Sequence, residues 1–221
     1  QAQQTQVKQL LGVESTTACL SELLYSDEIA IQLHKMGFKA VMTEGAKHIL
    51  SWKSPNYVYS SSAAPKLKVL LRNSHLSDEI AFHFSDPAWH NFPMEAEKFA
   101  NILTELPEEE QVVNIWVGAE TFGLRQSATT GIFDFLKALP YYALEQSMGF
   151  MTPGEVAKKI APKDAVVVPY PLTWAGEAKD LSIFNGNDLQ QEALQKLYAV
   201  AERVHLCQDK QLKHDWLILQ D

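Results

Sequence analysis

Ser21-Glu-Leu-Leu-Tyr-Ser-Asp-Glu-Ile-Ala-Ile-Gln-Leu-His-Lys-Met36 runs through Gly37 into Phe38-Lys-Ala-Val-Met42 and then Thr43-Glu44-Gly45. Leu23, Leu24, Ile29, Ile31 and Leu33 fall at helical spacing, and Gly37 supplies a residue suited to ending a helix. The apolar run that follows at once predicts a strand, closed by the polar pair Thr43 and Glu44. A helix that passes directly into an apolar strand is the building unit of an α/β fold.

Working outward, Ala46–Trp52 predicts a short helix that Ser54 and Pro55 break. Leu67–Leu71 and Ile80–Phe84 read as strands, the second expected to be buried on both faces because its alternation is poor. Pro93 suits the first position of a helix running to about Leu106, and Glu108, Glu109 and Glu110 read as a solvated loop. Val112–Val117 is the most strand-like segment of all. Gly131–Leu139 and Tyr141–Gln146 predict helix interrupted at Pro140. Thr152-Pro153-Gly154-Glu155 is a helix-start signature, Val166–Val168 a short strand, and Asn187 to about Leu219 helical in two segments divided near Leu206. Together these predict an α/β domain, a mainly parallel sheet with covering helices, spanning residues 1–221 as a single domain.

Nineteen Lys and Arg against 27 Asp and Glu leave a net charge of −8, with no concentration of positive charge, so no nucleic-acid partner is expected. No apolar run approaches the ~18 residues of a membrane span, and the Gln-rich N-terminus lacks a secretory pattern, so no membrane partner is expected either. Cys19 and Cys207 lie far apart and outside any CxxC pair. They are expected to be small buried hydrophobes in a reducing compartment, which points to the cytoplasm.

In parallel sheets, ligands meet the loops at the carboxyl ends of the strands. Three predicted ends carry polar residues: Thr43-Glu44-Gly45, Ser85-Asp86 leading to Trp89, and Glu120-Thr121-Phe122-Gly123. Glu44 has two readings, a carboxylate aimed into a crevice or a cap for the next helix. Glu120 likewise reads as catalytic or as half of a buried ion pair. Two carboxylates at strand ends are the minimum for cleaving a glycosidic bond, because one protonates the leaving oxygen while the other attacks the anomeric carbon or activates water. Trp52, Tyr57, Tyr59, Trp89 and Trp174 fall in predicted loops, where they either stack on sugar rings or pack beneath their loops. Seven histidines form no HExxH and no paired metal spacing, so no metal is expected. Neither GxGxxG, GxxxxGK[ST] nor GxSxG occurs, so no phosphate cradle or serine nucleophile elbow is expected.

Several segments taken in order resemble the α-amylase-like branch of glycoside hydrolase family 57. They are Glu22-Leu-Leu-Tyr25-Ser-Asp-Glu-Ile-Ala30, Met36-Gly-Phe-Lys-Ala-Val-Met-Thr-Glu44-Gly-Ala, Trp52-Lys-Ser-Pro-Asn-Tyr-Val-Tyr59 and Leu76-Ser-Asp-Glu-Ile-Ala-Phe82. Further on come Glu120-Thr-Phe-Gly123, Thr130-Gly-Ile-Phe-Asp-Phe135, Thr152-Pro-Gly-Glu-Val156, Asp180-Leu-Ser182 with Gly186-Asn-Asp188, and His214-Asp-Trp216 with Leu219-Gln220. The resemblance implies a retaining glycosidase acting on α-linked glucans or oligosaccharides, without organic cofactor, on an incomplete seven-stranded β/α barrel. It places the nucleophile at Glu44 and the proton donor two residues before Glu120, where this chain has Gly118.

Other departures gather in the same regions. The family pattern has Tyr at Ala119, an acid and a His at Leu124 and Arg125, acids at Gly176 and Ala178, and Arg-Asn at Cys19 and Leu20. Glu120 is expected to face the same side of a strand as Gly118 and to stand about 7 Å further along it. Hydrolysis is therefore expected to be impaired. The alternative is a catalytically silent protein that binds glucan or a protein partner. The family pattern also begins with a strand bearing His-Gln-Pro upstream of anything here. The chain is accordingly expected to be the C-terminal portion of the barrel, with an open sheet edge for another chain or a second copy to cover.

Overall fold

A computed structural model of the chain describes residues 2–220. Two compact units divide it, residues 1–174 and 175–221. In the first unit, β1 (Thr17–Cys19), β2 (Ala40–Glu44), β3 (Val58–Ser61), β4 (Lys68–Arg72) and β5 (Asp164–Val166) form one sheet in the order β1-β2-β4-β3-β5. β1 pairs with β2, β2 with β4 and β3 with β5 in parallel, while β3 runs antiparallel to β4. The α/β class and the mainly parallel sheet read from the sequence both hold.

Helices α1 (Ala2–Leu11), α2 (Asp27–Lys35), α3 (Lys47–Leu50), α4 (Ser74–Ala81), α5 (Ala96–Thr104), α6 (Ile132–Glu145) and α7 (Pro153–Lys159) complete this unit. The order of the opening helix-to-strand reading holds in α2 and β2, but the helix is shorter than expected: it begins at Asp27, and Ser21–Leu23 forms a separate 3-10 turn. Ser26 caps α2 by accepting from Ile29 N, Asp27 and Glu28 sit in its first turn, and His34 and Lys35 in its last, all favourable to the helix dipole. At its end Phe38 N donates to Leu33 O at 3.1 Å and Gly37 N to His34 O at 3.0 Å, with Gly37 at φ +91°. That double bond requires a left-handed residue, which glycine supplies without strain. β2 lies between β1 and β4, so Ala40, Val41, Thr43 and Glu44 are all fully buried.

Several local expectations fail; the helix expected from Pro93 begins only at Ala96, and the strand expected at Val166–Val168 is Asp164–Val166. Ile80–Phe84 is not a strand: residues 74–81 are α4, capped by Asn73, whose side chain accepts from Leu76 N. Leu76, Ile80 and Phe84, four residues apart, form one buried stripe with Phe99, Ile132 and Phe135. Val112–Val117 forms only a single bridge, Asn114 to Arg72, because side chains take the ladder's places. Asn114 Nδ2 donates to Leu71 O at 3.0 Å, and Trp116 N donates to Ser77 Oγ at 3.0 Å. Pro140 does not interrupt α6, which runs through it, and the residue four before it, Leu136, is exposed, so the orphaned carbonyl faces the solvent side. Cys19 is exposed and Cys207 half-buried, so neither is the buried hydrophobe expected.

The predicted start of α7 is realised as a full capping box. Thr152 Oγ1 accepts from Glu155 N at 3.3 Å, and Thr152 N donates to Glu155 Oε2 at 2.9 Å. Thr152→Ala is expected to cost about 1 kcal/mol in a urea melt. The bonds from Thr152 hold the Glu155 carboxyl below its ordinary range. A lowered folded-state pKa gives stability that is present above the ordinary carboxylate range and lost as pH falls, so the Thr152→Ala penalty should shrink on acidification.

In the second unit, α8 (Ser182–Asn185) precedes α9 (Asp188–Ala199), α10 (Ala201–Leu206) and α11 (Lys210–Ile218). The division near Leu206 is as expected, with one further break at Val200. Trp216 anchors the unit: its indole donates to Leu197 O at 3.1 Å, and Tyr198 and His205 meet it edge-on. No helix among the described residues is long and apolar enough to cross a membrane.

Candidate functional site

β2 and β4 end side by side at the carboxyl edge, and their register pairs Glu44 with Arg72. Gly45 continues from β2 so close to β4 that a Cβ there would lie 2.3 Å from Arg72 O, which explains the glycine after Glu44. The Glu44 side chain is fully buried, and Arg72 Nη1 donates to its Oε2 at 3.1 Å. No side chain caps α3, so Glu44 is not the helix cap that was the other reading of it.

Arg72 is itself 2% exposed and spends its guanidinium on three partners. Nη1 goes to Glu44, Nη2 to Asp78 Oδ1, and Nε donates to Trp116 O at 2.8 Å. Its planar group also lies 5.6 Å from the ring centre of Trp174. Burying two charges together is tolerable only when their hydrogen-bonding capacity is met, and Arg72 meets its own on three sides.

Trp174 stacks on Phe82, centroids 6.5 Å apart and planes within 15°, and the Arg125 guanidinium lies 5.2 Å over Phe82. Arg125 Nε in turn stands 3.7 Å from Glu120 Oε1. A continuous series of contacts thus joins the two predicted carboxylates: Glu44, Arg72, Trp174, Phe82, Arg125, Glu120. Glu120 lies in a 3-10 turn, Ala119–Thr121, and not on a strand, so the expected same-face spacing from Gly118 does not apply. The turn instead folds the carboxylate back. A Cβ on Gly118 would meet Glu120 Oε1 at 2.2 Å and Oε2 at 2.3 Å. Glu120 is therefore no buried ion pair either, its side chain being 41% exposed.

The remaining aromatics are placed apart from this series. Trp89 donates through Nε1 to Glu79 Oε2 at 2.9 Å and stacks on His83 at 3.6 Å between centroids. Tyr57 packs against the buried cluster around Val41, Val69 and Leu71, with Lys163 5.4 Å from its ring centre, and Trp52 stands 87% exposed. Tyr59 is buried in that cluster, where loss of solvent pushes its phenol up to about 12. A cavity of about 390 Å³ lies along α5, lined by Asn91, Glu95, Lys98 and Asn101 among others and by none of the candidate site residues. Among the described residues no group of three His, Cys, Asp or Glu is placed to hold a metal ion.

Sequence reasoning missed Arg72, Asp78, Phe82 and the turn at Glu22. Arg72 was legible as a charge closing the apolar run Val69-Leu-Leu71. Glu22 and Leu23 hold φ values of 53° and 54°, a region that costs residues with a Cβ and that gathers at functional sites. The turn is tied to the edge by Thr43 Oγ1 donating to Leu23 O at 2.9 Å and Trp174 N to Glu22 O at 3.0 Å.

Comparison with known proteins shows the family. The family model described as "Glycosyl hydrolase family 57" matches residues 1–169. A protein of Methanocaldococcus jannaschii described as "Putative alpha-amylase" is 37% identical over 193 residues, covering 86% of this chain. The chain spans 40% of that relative's length. The crystal structure of a 4-alpha-glucanotransferase from Thermococcus litoralis superposes with a TM-score of 0.65 at 15% identity, covering 91% of this chain and 31% of the other. That similarity is one of fold.

Proposed function

Because the chain belongs to glycosyl hydrolase family 57, we propose that it is an α-amylase-like module that binds α-glucan at the carboxyl edge of its sheet and hydrolyses it poorly. In this reading Glu44 stands as the nucleophile of a retaining reaction, with Trp174, Trp89, Trp52 and Tyr57 as surfaces for sugar rings. The observation that carries it is the pairing of Glu44 with a glycine at the donor position. A retaining site needs a second carboxyl group about 5–5.5 Å from the first, and Gly118 cannot supply one. Glu120, folded over Gly118, is the carboxylate nearest that place and the candidate for whatever hydrolysis remains.

A catalytically silent glucan-binding or partner-binding protein is the second reading, favoured by the full burial of Glu44 beneath Arg72. In both readings the sheet, bounded by β1 and β5, is part of an incomplete seven-stranded β/α barrel. A cytoplasmic setting suits the two free thiols. The test is calorimetric titration with maltoheptaose alongside chromatography of the mixture. Binding without products is expected. Absence of binding sinks the glucan reading, and rapid release of shorter oligosaccharides sinks the impairment.

A further inference from the structure

We propose that Asp78 accepts sugar hydroxyls in a glucan subsite bordered by the exposed part of Phe82 in the Phe82–Trp174 pair; this rests on the glucan-binding reading above. Asp78 and Phe82 lie four residues apart where α4 runs into its C-cap, so both project from one helix face. Phe82 stacks on Trp174, and Arg72 links Asp78 to the same ring by bonding one and lying against the other. Carboxylate, guanidinium and indole are thereby fixed relative to one another.

What distinguishes Asp78 from its neighbours is an acceptor left over. Ser77 Oγ is taken by Trp116 N, and Glu79 is 1% exposed with Oε2 taken by Trp89. Asp78 gives Oδ1 to Arg72, while Oδ2 has no hydrogen-bond partner among the described residues and 32% of the side chain is exposed. Arg72 locks the carboxylate's rotamer and balances its charge, so the outward oxygen is presented with little further ordering to be lost on binding. A glucose ring offers an apolar C–H face and, around its rim, hydroxyl donors. An aromatic surface beside a fixed anionic acceptor matches both features of that ring.

The test compares maltoheptaose affinity, by calorimetry, for the unmodified protein and for Asp78→Asn, Trp174→Ala and Asp134→Asn. The last removes an acid on α6 whose side chain is 89% exposed. A hydrogen bond to a charged group corresponds to about 10–100-fold in affinity, so Asp78→Asn should bind that much more weakly while its melting temperature stays near the parent's. Asp134→Asn should bind normally. Should Asp78→Asn melt early, Asp78→Glu takes its place, keeping the ion pair but moving the outward oxygen by one methylene, with the same weakening expected. Parent-like affinity of the Asp78 variants, with binding lost in Trp174→Ala, overturns the role of Asp78 and leaves the glucan reading standing. No binding by the unmodified protein overturns both.

Discussion

Gly118→Asp is expected to raise maltoheptaose hydrolysis by about 10²–10⁴-fold over the unmodified chain, the range general acid catalysis supplies. The backbone already accepts an aspartate there. Gly118 has φ −65° and ψ 145° and stands at the start of a 3-10 turn, an ordinary conformation for a capping Asp. The obstacle is the Glu120 carboxylate, which occupies the space a Cβ would need. It is the far end of a flexible side chain held, among the described residues, by an exposed Arg125 pair, so it can swing outward. Two carboxylates left close together also disfavour double ionisation, which raises the pKa of one of them, the property a proton donor needs. Product chromatography with Gly118→Asn as control reads the outcome. A Gly118→Asp protein that binds maltoheptaose yet releases nothing would show that the loss at 118 is not what silences the site. Turnover by the unmodified chain that vanishes in Glu120→Gln would instead make Glu120 the acid.

Arg72→Met should be the most destabilising single change at the edge, by about 3–5 kcal/mol, because it removes the buried guanidinium bonded to the fully buried Glu44 carboxylate. Set against the ~5–15 kcal/mol of a typical domain, that loss removes a large part of the fold's margin. The same substitution orphans Trp116 O and releases Asp78 and the Trp174 ring. Adding Glu44→Gln to Arg72→Met should restore part of the loss, since a neutral amide needs no counter-charge. Urea denaturation of the single and double variants measures both. If Arg72→Met costs under 1 kcal/mol, the ion pair is not the anchor its burial implies.

The parts of this molecule legible in sequence are those decided by local chemistry. Gly37, the Thr152–Glu155 box and the apolar run of β2 each carry their own signal within a few residues. α4 was misread because Ile80–Phe84 taken alone reads as a short apolar run of poor alternation, whereas adding Leu76 and the Asn73 cap reveals a period near four. The misreading mattered for the site, since a helix brings Asp78 and Phe82 within one turn of each other, whereas a strand would hold them about 13 Å apart. Glu44 was identified correctly as the residue closing a buried strand. Its partner was not, because Arg72 lies 28 residues away and meets it only through the register of two strands separated in sequence by β3. The relation between Gly118 and Glu120 depends on a tight turn that an apolar run of alternating appearance conceals.

The Glu44–Arg72 pairing also bears on how the sheet assembles. β2 and β4 are apolar over most of their length, and Val41 or Leu70 would bury well in more than one alignment. A slip of one residue between the strands would turn one set of side chains to the opposite face and part the two buried charges from each other. The pair thus penalises misaligned sheets far more than it favours the aligned one. Kinetically, it acts as proofreading: apolar collapse can bring the two strands together in any alignment, but only the native one can close over the charges and persist.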